Sequence, residues 1–414
     1  MIQKNKVRRV PGLVKAYRLM KLGYSIFKGR EMRRVINKNA SYYKIKTDDY
    51  KNVFSGYYDH SPFKPDDETI ILLNANNYPT WRTPSSRAPT YLVLFDWFSS
   101  RTIKILGTTF AWNWQQGSRA TWLTNDTVGF NIFDPFTMTY RTKIVRENGC
   151  EEQLLPIPIQ EYAQNGIIYS INYSALYKVR PDYGYRNIKP TNEDLDENRI
   201  TSYNLSNGQQ NYHVSVQELI KDANKRNEKP ITLAKLNHVM ASPSGNHLIF
   251  LFRYFTNERR VTDLYKLEVK SNSWKILAAD ANVSHTCWLN NDIVLATMQG
   301  PNGFGYYRIY INNSRIECCF LHADGHPNPL NENLILTDTY PDKMGLRRLL
   351  AIPYDKPNSP VQLAVCAEPL LFQGETRCDL HPSISPSGKW IQINIAEGHQ
   401  RTVGILENPF VSST

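Results

Sequence analysis

Beyond residue 46 the chain alternates short apolar runs with polar turns, at the two-residue period of strands. The runs TIILLNAN (69–76), HLIFLFRYF (247–255), DIVLATM (292–298), LILTDTY (334–340) and WIQINIA (390–396) each follow a turn. Each is followed by a second strand: TYLVLFDW, TDLYKLEVK, YYRIYINN, RRLLAIPY and RTVGIL. Weaker copies run from SRATWLTNDTVGFNIF into TMTYRTKIV, and from QEYAQNGIIYSINY into RITSYNLS. These make seven units, starting near residues 54, 113, 158, 235, 282, 323 and 378, with one long unit between Gly166 and Lys235. The runs are rich in β-branched and aromatic residues, and no sustained helical period follows residue 46, which argues against a helical solenoid. Units of about 40 to 60 residues with SPxG-like turns read as propeller blades, so the pattern predicts an all-β, seven-bladed β-propeller over residues 47–414.

Five of the nine histidines hold one register in this repeat. His60, His238, His285, His326 and His381 each stand five residues before the second turn residue: Pro65, Pro243, Asn290, Asn331 and Pro386. Equal register in a ring of blades means equal height in the channel, so these imidazoles are expected to converge at one mouth as a metal or anion site. Gln115, Gln116 and Arg119 of the second unit are expected at the same end. Asp379, two residues before His381 and on the same side of its strand, is placed to orient an imidazole. His213, His247, His322 and His399 fall outside the register and read as surface groups. Asp338 and Asp342 read as turn residues.

Charge separates the first 46 residues from the rest. They hold 14 Lys and Arg against the single acid Glu31, more positive charge than the chain's net +11, so the remainder is slightly acidic. Val10, Leu13, Tyr17, Met20, Tyr24 and Phe27 fall three and four apart, which predicts a basic amphipathic helical arm over residues 1–46. Such a helix fits an anionic membrane surface, an acidic partner, or packing against the propeller. Residues 42–46, YYKIK, also fit the strand that closes the last blade. No nucleic-acid motif accompanies the charge. No apolar stretch is long enough to cross a membrane and no signal peptide is visible. Six cysteines form no CxxC pair, so reduced thiols in a cytoplasmic protein are expected, peripheral at the inner membrane face if the arm binds lipid. Catalytic Ser-His-Asp patterning, a phosphate-binding glycine loop and zinc-finger spacing are absent.

The segments LNHVMASPSG with FLFRYF, VSHTCWLNND, DGHPNPLNENLILTDTYPD and TRCDLHPSISPSGKW resemble bacterial WD40-like propellers of the TolB type related to oligogalacturonate lyase. The resemblance covers residues 235–406 well; GYYDHSPFKPDD and AWNWQQGS extend it more weakly. It implies β-elimination on an acidic, uronate-containing glycan, assisted by a divalent metal ion of the Mn or Zn class. His285, His326 and His381 would be the metal histidines, with His238 as a fourth ligand. The glutamine expected before the middle histidine is missing; HADGHPNP carries His322 and Asp324 there instead. The resemblance also implies an arginine base, for which Arg253, Arg260 and Arg377 are the candidates, though an arginine's surer role is to grip a carboxylate. His60, Gln116, Arg119 and Asp379 would then contact substrate. The rival expectation is a non-catalytic propeller that binds polysaccharide or a partner protein in surface-glycan assembly.

Overall fold

The computed structural model describes residues 35–36, 41–45, 47–189, 198–227, 229–257, 259–369 and 371–411. The alternating pattern becomes seven antiparallel sheets, all with four strands except the sixth, which has five. Blade one comprises Asn52–Phe54, Ile70–Asn76, Thr90–Asp96 and Arg101–Thr109. Blade two runs from Thr121–Trp122 to Glu151–Leu155, blade three from Glu161–Ala163 to Gln210–Ser215, and blade four from Leu233–Ala241 to Ser273–Ala278. Blade five spans His285–Trp288 to Ile316–Leu321, blade six Asn328–Asn331 to Val361–Ala367, and blade seven Ser383–Ile384, Trp390–Glu397 and Gln400–Glu407.

Both faces of a blade are covered by its neighbours, which explains why the strands are apolar at odd and even positions alike. Ile71, Leu73 and Ala75 of blade one pack with Val403 and Ile405 of blade seven, while Leu72 on the same strand packs with Val128 and Phe130 of blade two. Cys287, Leu295 and Tyr306 of blade five likewise meet Ile335 and Ile352 of blade six. Each fully buried aliphatic side chain stabilises the ring by about 1.5–3 kcal/mol, so blades hold one another rather than themselves.

The N-terminal segment stitches the ring shut. Tyr42–Lys44 pairs with Gln400–Glu407 as the outer strand of blade seven, with Tyr42 opposite Leu406 and Lys44 opposite Gly404. Lys44 also pairs with Glu397. Just upstream, Val35–Ile36 adds the fifth strand to blade six. The boundary expected at residue 46 therefore leaves propeller strands on its N-terminal side, because the edge of Gln400–Glu407 needs a partner and Tyr42–Lys44 supplies it. The helix expected from Val10 to Phe27 lies outside the described residues.

The long third unit carries two helices that the strand pattern does not announce. Helix α1, Tyr173–Val179, is capped by Asn172, whose side chain accepts from the Ala175 amide at 2.9 Å. Helix α2, Val216–Asn224, begins with a Ser215–Glu218 capping box and buries Val216, Leu219 and Ala223. No helix among the described residues is long and apolar enough to cross a membrane, and all six cysteines are free.

Truncation tests the closure. Protein lacking residues 1–34 keeps both stitching strands and should melt with the full-length chain. Protein lacking residues 1–50 should melt several degrees lower and aggregate. Equal melting temperatures for the two would rule out closure by Tyr42–Lys44.

Candidate functional site

Blade one departs from regular strand geometry where the site forms. Its inner strand leaves the sheet after Phe54 and rejoins it at Phe63, which bridges to Ile71. The exit turn requires Gly56: its φ is +122°, and a Cβ there would meet the Gln116 carbonyl oxygen at 3.1 Å. The excursion carries Tyr57 and Tyr58 into the channel. Tyr58 reaches blade five, where its hydroxyl donates to the Thr286 carbonyl at 2.8 Å and accepts from the Thr286 amide at 3.1 Å.

Four of the five predicted imidazoles gather around these tyrosines, and all four are buried. The His285 and His326 ring centroids are 4.2 Å apart, His326 and His381 4.5 Å, and His238 and His285 6.1 Å. Tyr57 lies 4.6 Å from His381 and 5.2 Å from His238. His238 and His381 both have left-handed backbones, with φ of 52° and 42°. In blade four this coincides with a bulge between Asn237 and Met240 that breaks the strand's alternation. Strain of this kind persists only where surrounding contacts impose it.

Hydrogen bonds fix which nitrogen each ring presents. His326 Nδ1 lies 2.8 and 3.0 Å from the two oxygens of Asp338, His285 Nδ1 lies 3.1 Å from Asp324, and His381 Nδ1 lies 3.1 Å from the Gly56 carbonyl. Each Nδ1 faces an acceptor, so it carries the proton and Nε2 carries the lone pair. The Nε2 atoms of His326 and His381 are buried without a hydrogen-bond partner. Burial, and then His326, hold His381 well below the ordinary histidine range, which keeps it neutral. Burial also pulls His326 down, but Asp338, joined by Asp379 and Asp324, outweighs it and the net shift is upward. Burial and His326 lower His285, while Asp324 is held down to about 2 because His285 and Ser284 outweigh its burial.

These residues suit a metal ion. Ligand atoms of His326, Asp379 and His381 come within 4.8 Å of one another. Two imidazoles whose Nε2 atoms have no hydrogen-bond partner, backed by a carboxylate and a carbonyl on Nδ1, are the usual presentation to Zn²⁺ or Mn²⁺. Asp379 takes a different place from the one expected. Gly56 occupies Nδ1 of His381, and the Asp379 carboxylate stands 3.8 Å from Nε2, so it borders the metal-facing side. The orienting carboxylates are Asp324 and Asp338, and Asp338 is therefore a buried partner of His326 rather than a turn residue. Asp379 is also paired with Arg347 at 2.8 Å and Arg377 at 2.7 Å, which together override its burial and hold it well below the usual carboxylate range.

His238 and His285 border a cavity of about 180 Å³. Arg180, Arg253 and Arg260 line it, together with Tyr183, Tyr340, Ser284 and Asp324. Among the described residues Arg253 bonds only the neutral Thr262 hydroxyl, at 2.7 Å, and burial followed by Arg180 and Arg260 brings it down to about 10. Arg377 does not line the cavity. It ties Asp379 to Asp182 at 2.6 Å and to the Tyr183 hydroxyl at 3.1 Å, clamping the segment after α1 over the channel.

His60, Gln116 and Arg119 are not with the four imidazoles. Arg119 grips Asp59 with bonds of 2.8 and 3.1 Å and contacts the Gln160 carbonyl. His60 sits between Arg119 at 3.1 Å and Glu161 at 3.2 Å. Register set the height of His60, but the excursion of blade one puts Tyr57 and Tyr58 against the other four rings. Gln116 is buried on the loop before Arg119, its amide bonded to Asn113 at 2.7 Å, and Gln115 donates to the Arg377 carbonyl at 2.8 Å. Asp59, His60 and Glu161 also bring ligand atoms within 4.8 Å, but the Arg119 guanidinium already neutralises Asp59 there.

Sequence reasoning missed Arg180, Asp182, Tyr183, Lys235 and Tyr57. For Arg180, Asp182 and Tyr183 the available signal was the unusual length of the third unit, which supplies the segment after α1; Tyr57 of blade one and Lys235 of blade four carried none.

No protein-family model matches the chain, and no curated protein sequence matches it. Among solved structures it is similar to an oligogalacturonate lyase from Vibrio parahaemolyticus, at 10% identity over 92% of this chain and 97% of that one, with a TM-score of 0.61. It is also similar to a prolyl endopeptidase, at 11% identity over 86% of this chain and 46% of that one, with a TM-score of 0.51. TolB from Acinetobacter baumannii matches at 14% identity over 78% of this chain and 76% of that one, with a TM-score of 0.39. At these identities the likeness is one of fold: a seven-bladed propeller of the kind found in oligogalacturonate lyase.

Three substitutions probe the two clusters. His326→Ala or His381→Ala should sharply reduce divalent metal in elemental analysis of protein purified without chelator; unchanged stoichiometry in both would leave the imidazoles a structural role. Arg119→Met strands the Asp59 carboxylate and should cost about 3–5 kcal/mol in denaturant unfolding, as breaking a buried ion pair does.

Proposed function

We propose that the protein is a lyase-like enzyme that cleaves an acidic, uronate-containing glycan by metal-assisted β-elimination. The observation that carries this reading is the adjacency of two opposite holders. Free imidazole nitrogens beside Asp379 suit a cation, and a few ångströms of packed rings away three arginines surround a cavity suited to an anion. The fold shared with an oligogalacturonate lyase supports it.

In such an elimination a base takes the proton beside the carboxylate, the electron pair forms a carbon–carbon double bond, and the glycosidic C–O bond on the neighbouring carbon breaks, its oxygen leaving with a proton from water; neutralising the carboxylate's charge is what makes the first proton removable. A divalent ion of the Mn or Zn class, held by His326, His381 and Asp379, would supply that neutralisation as a Lewis acid. Arg260 and Arg180 grip the carboxylate, fixing the sugar's orientation in the cavity. Arg253 is the candidate base: lowered to about 10, its guanidinium yields a proton more readily than an ordinary arginine. Tyr183 and Tyr340 narrow the cavity and help to exclude water.

One observation favours a second reading, a non-catalytic propeller that binds acidic polysaccharide. Arg347 and Arg377 already neutralise Asp379, which weakens its pull on a cation.

The test is incubation with oligogalacturonates and Mn²⁺, following the ultraviolet absorbance of unsaturated uronides. Wild-type protein should release them, and Arg253→Gln should slow release by about a hundredfold or more, the usual contribution of a positioned base. Glycan retardation in affinity electrophoresis without any absorbance gain would replace the enzyme with the binder.

A further inference from the structure

Lys235 has no role in the elimination described above, yet it is the most anomalous charge near the cavity. It lies on the inner strand of blade four, paired in register with Arg253 on the next strand. Its relative exposure is 1%, and its Nζ has no hydrogen-bond partner. Burial without an acceptor strongly disfavours the ammonium form.

The surroundings make the deficit worse. Arg253, Arg180 and Arg260 all act on Lys235, and the one opposing acid, Asp182, is already shared between Arg180 and Arg377. Burial first, and then these arginines, hold the amine well below the ordinary lysine range. The other titratable groups nearby are His238 on its own strand, Tyr57 from blade one, Tyr183 after α1, and His285, Asp324 and Tyr340 in the cavity wall. Asp324 is committed to His285, Ser284 and Thr297. Among the described residues, neither Arg253 nor Arg260 forms an ion pair with a carboxylate. The cavity thus gathers positive charge and lacks its negative complement.

We propose that this cavity is an oxyanion site whose ligand, a carboxylate or a sulfate group, is bound together with a proton that Lys235 takes up from solvent. The proposal rests on the reading that places a uronate carboxylate here, but not on its elimination chemistry. Lys235 itself does not line the cavity but stands behind Arg253, so an entering anion acts on it through charge: it supplies the missing negative charge, and the amine becomes an ammonium. Affinity must then fall as pH rises, because each binding event consumes a proton.

The measurement is calorimetric titration of full-length protein with sulfate and with galacturonate, in two buffers of different ionisation heat. Neither anion titrates near neutral pH, so any proton taken up belongs to the protein. Both should bind with proton uptake. Lys235→Met should bind without that uptake, and Arg253→Gln should bind about tenfold more weakly or worse. A second readout confirms that Lys235→Met is folded. The wild-type amine has a depressed folded-state pKa, so the unfolded chain binds more protons, and stability should rise with pH until the unfolded lysine itself titrates. Lys235→Met should lose that rise while still melting cooperatively. Failure of both anions to bind, or unchanged proton uptake in Lys235→Met, overturns the proposal. Sulfate binding without galacturonate binding keeps the oxyanion site and removes the uronate from the proposed function. Absent lyase activity alongside proton-coupled binding overturns only the elimination.

Discussion

The Asp338 carboxylate organises this site. One oxygen accepts from the His326 amide at 2.9 Å and the other from the His381 amide at 3.2 Å, while both lie within 3.0 Å of His326 Nδ1. A single buried acid thereby joins blade six to blade seven at the channel and turns one imidazole so that its free nitrogen faces inward. The strand can come this close only because Gly325 precedes His326: a Cβ there would sit 2.0 Å from the Asp338 carbonyl oxygen. Buried charge is tolerable when every lone pair is answered, and here the donors come from two blades.

The same logic extends around the ring with different partners. Asp324 does for His285 what Asp338 does for His326, and a backbone carbonyl, Gly56, serves His381. Arg347 and Arg377 balance Asp379, and Arg377 passes the connection to Asp182 above the channel. Acids and bases alternate on the blade-six and blade-seven side. On the blade-four side the arginines outnumber their partners, and that imbalance is the basis for reading the cavity as a place for an anion.

Asp59, Arg119, His60 and Glu161 form a separate network of their own. Arg119 occupies in blade two the position that histidines occupy elsewhere, and like His238 and His381 it has a left-handed backbone, with φ of 55°. Blades two, four and seven thus share a strained position at the channel wall and fill it with different chemistry. Structural pairing fills it on one side, and unpartnered nitrogen on the other.

Blade number and the convergence of four histidines were legible in the sequence because they depend on period. Seven recurrences of an apolar run and a turn admit few architectures, and a fixed offset from the turn fixes height along the channel. Closure by the N-terminal strand was also legible, since YYKIK has strand character next to a ring that needs an outer edge. Period carries no information about what enters the channel from outside the repeat. The excursion of Tyr57 and Tyr58 and the segment after α1 arise from irregular backbone, and they decided that His60 would lie with Arg119 rather than with the other imidazoles. The roles of Asp324, Asp338 and Asp379 were likewise beyond the sequence. A carboxylate's neighbour depends on which side of an imidazole it reaches, and only the packed positions of separate blades determine that.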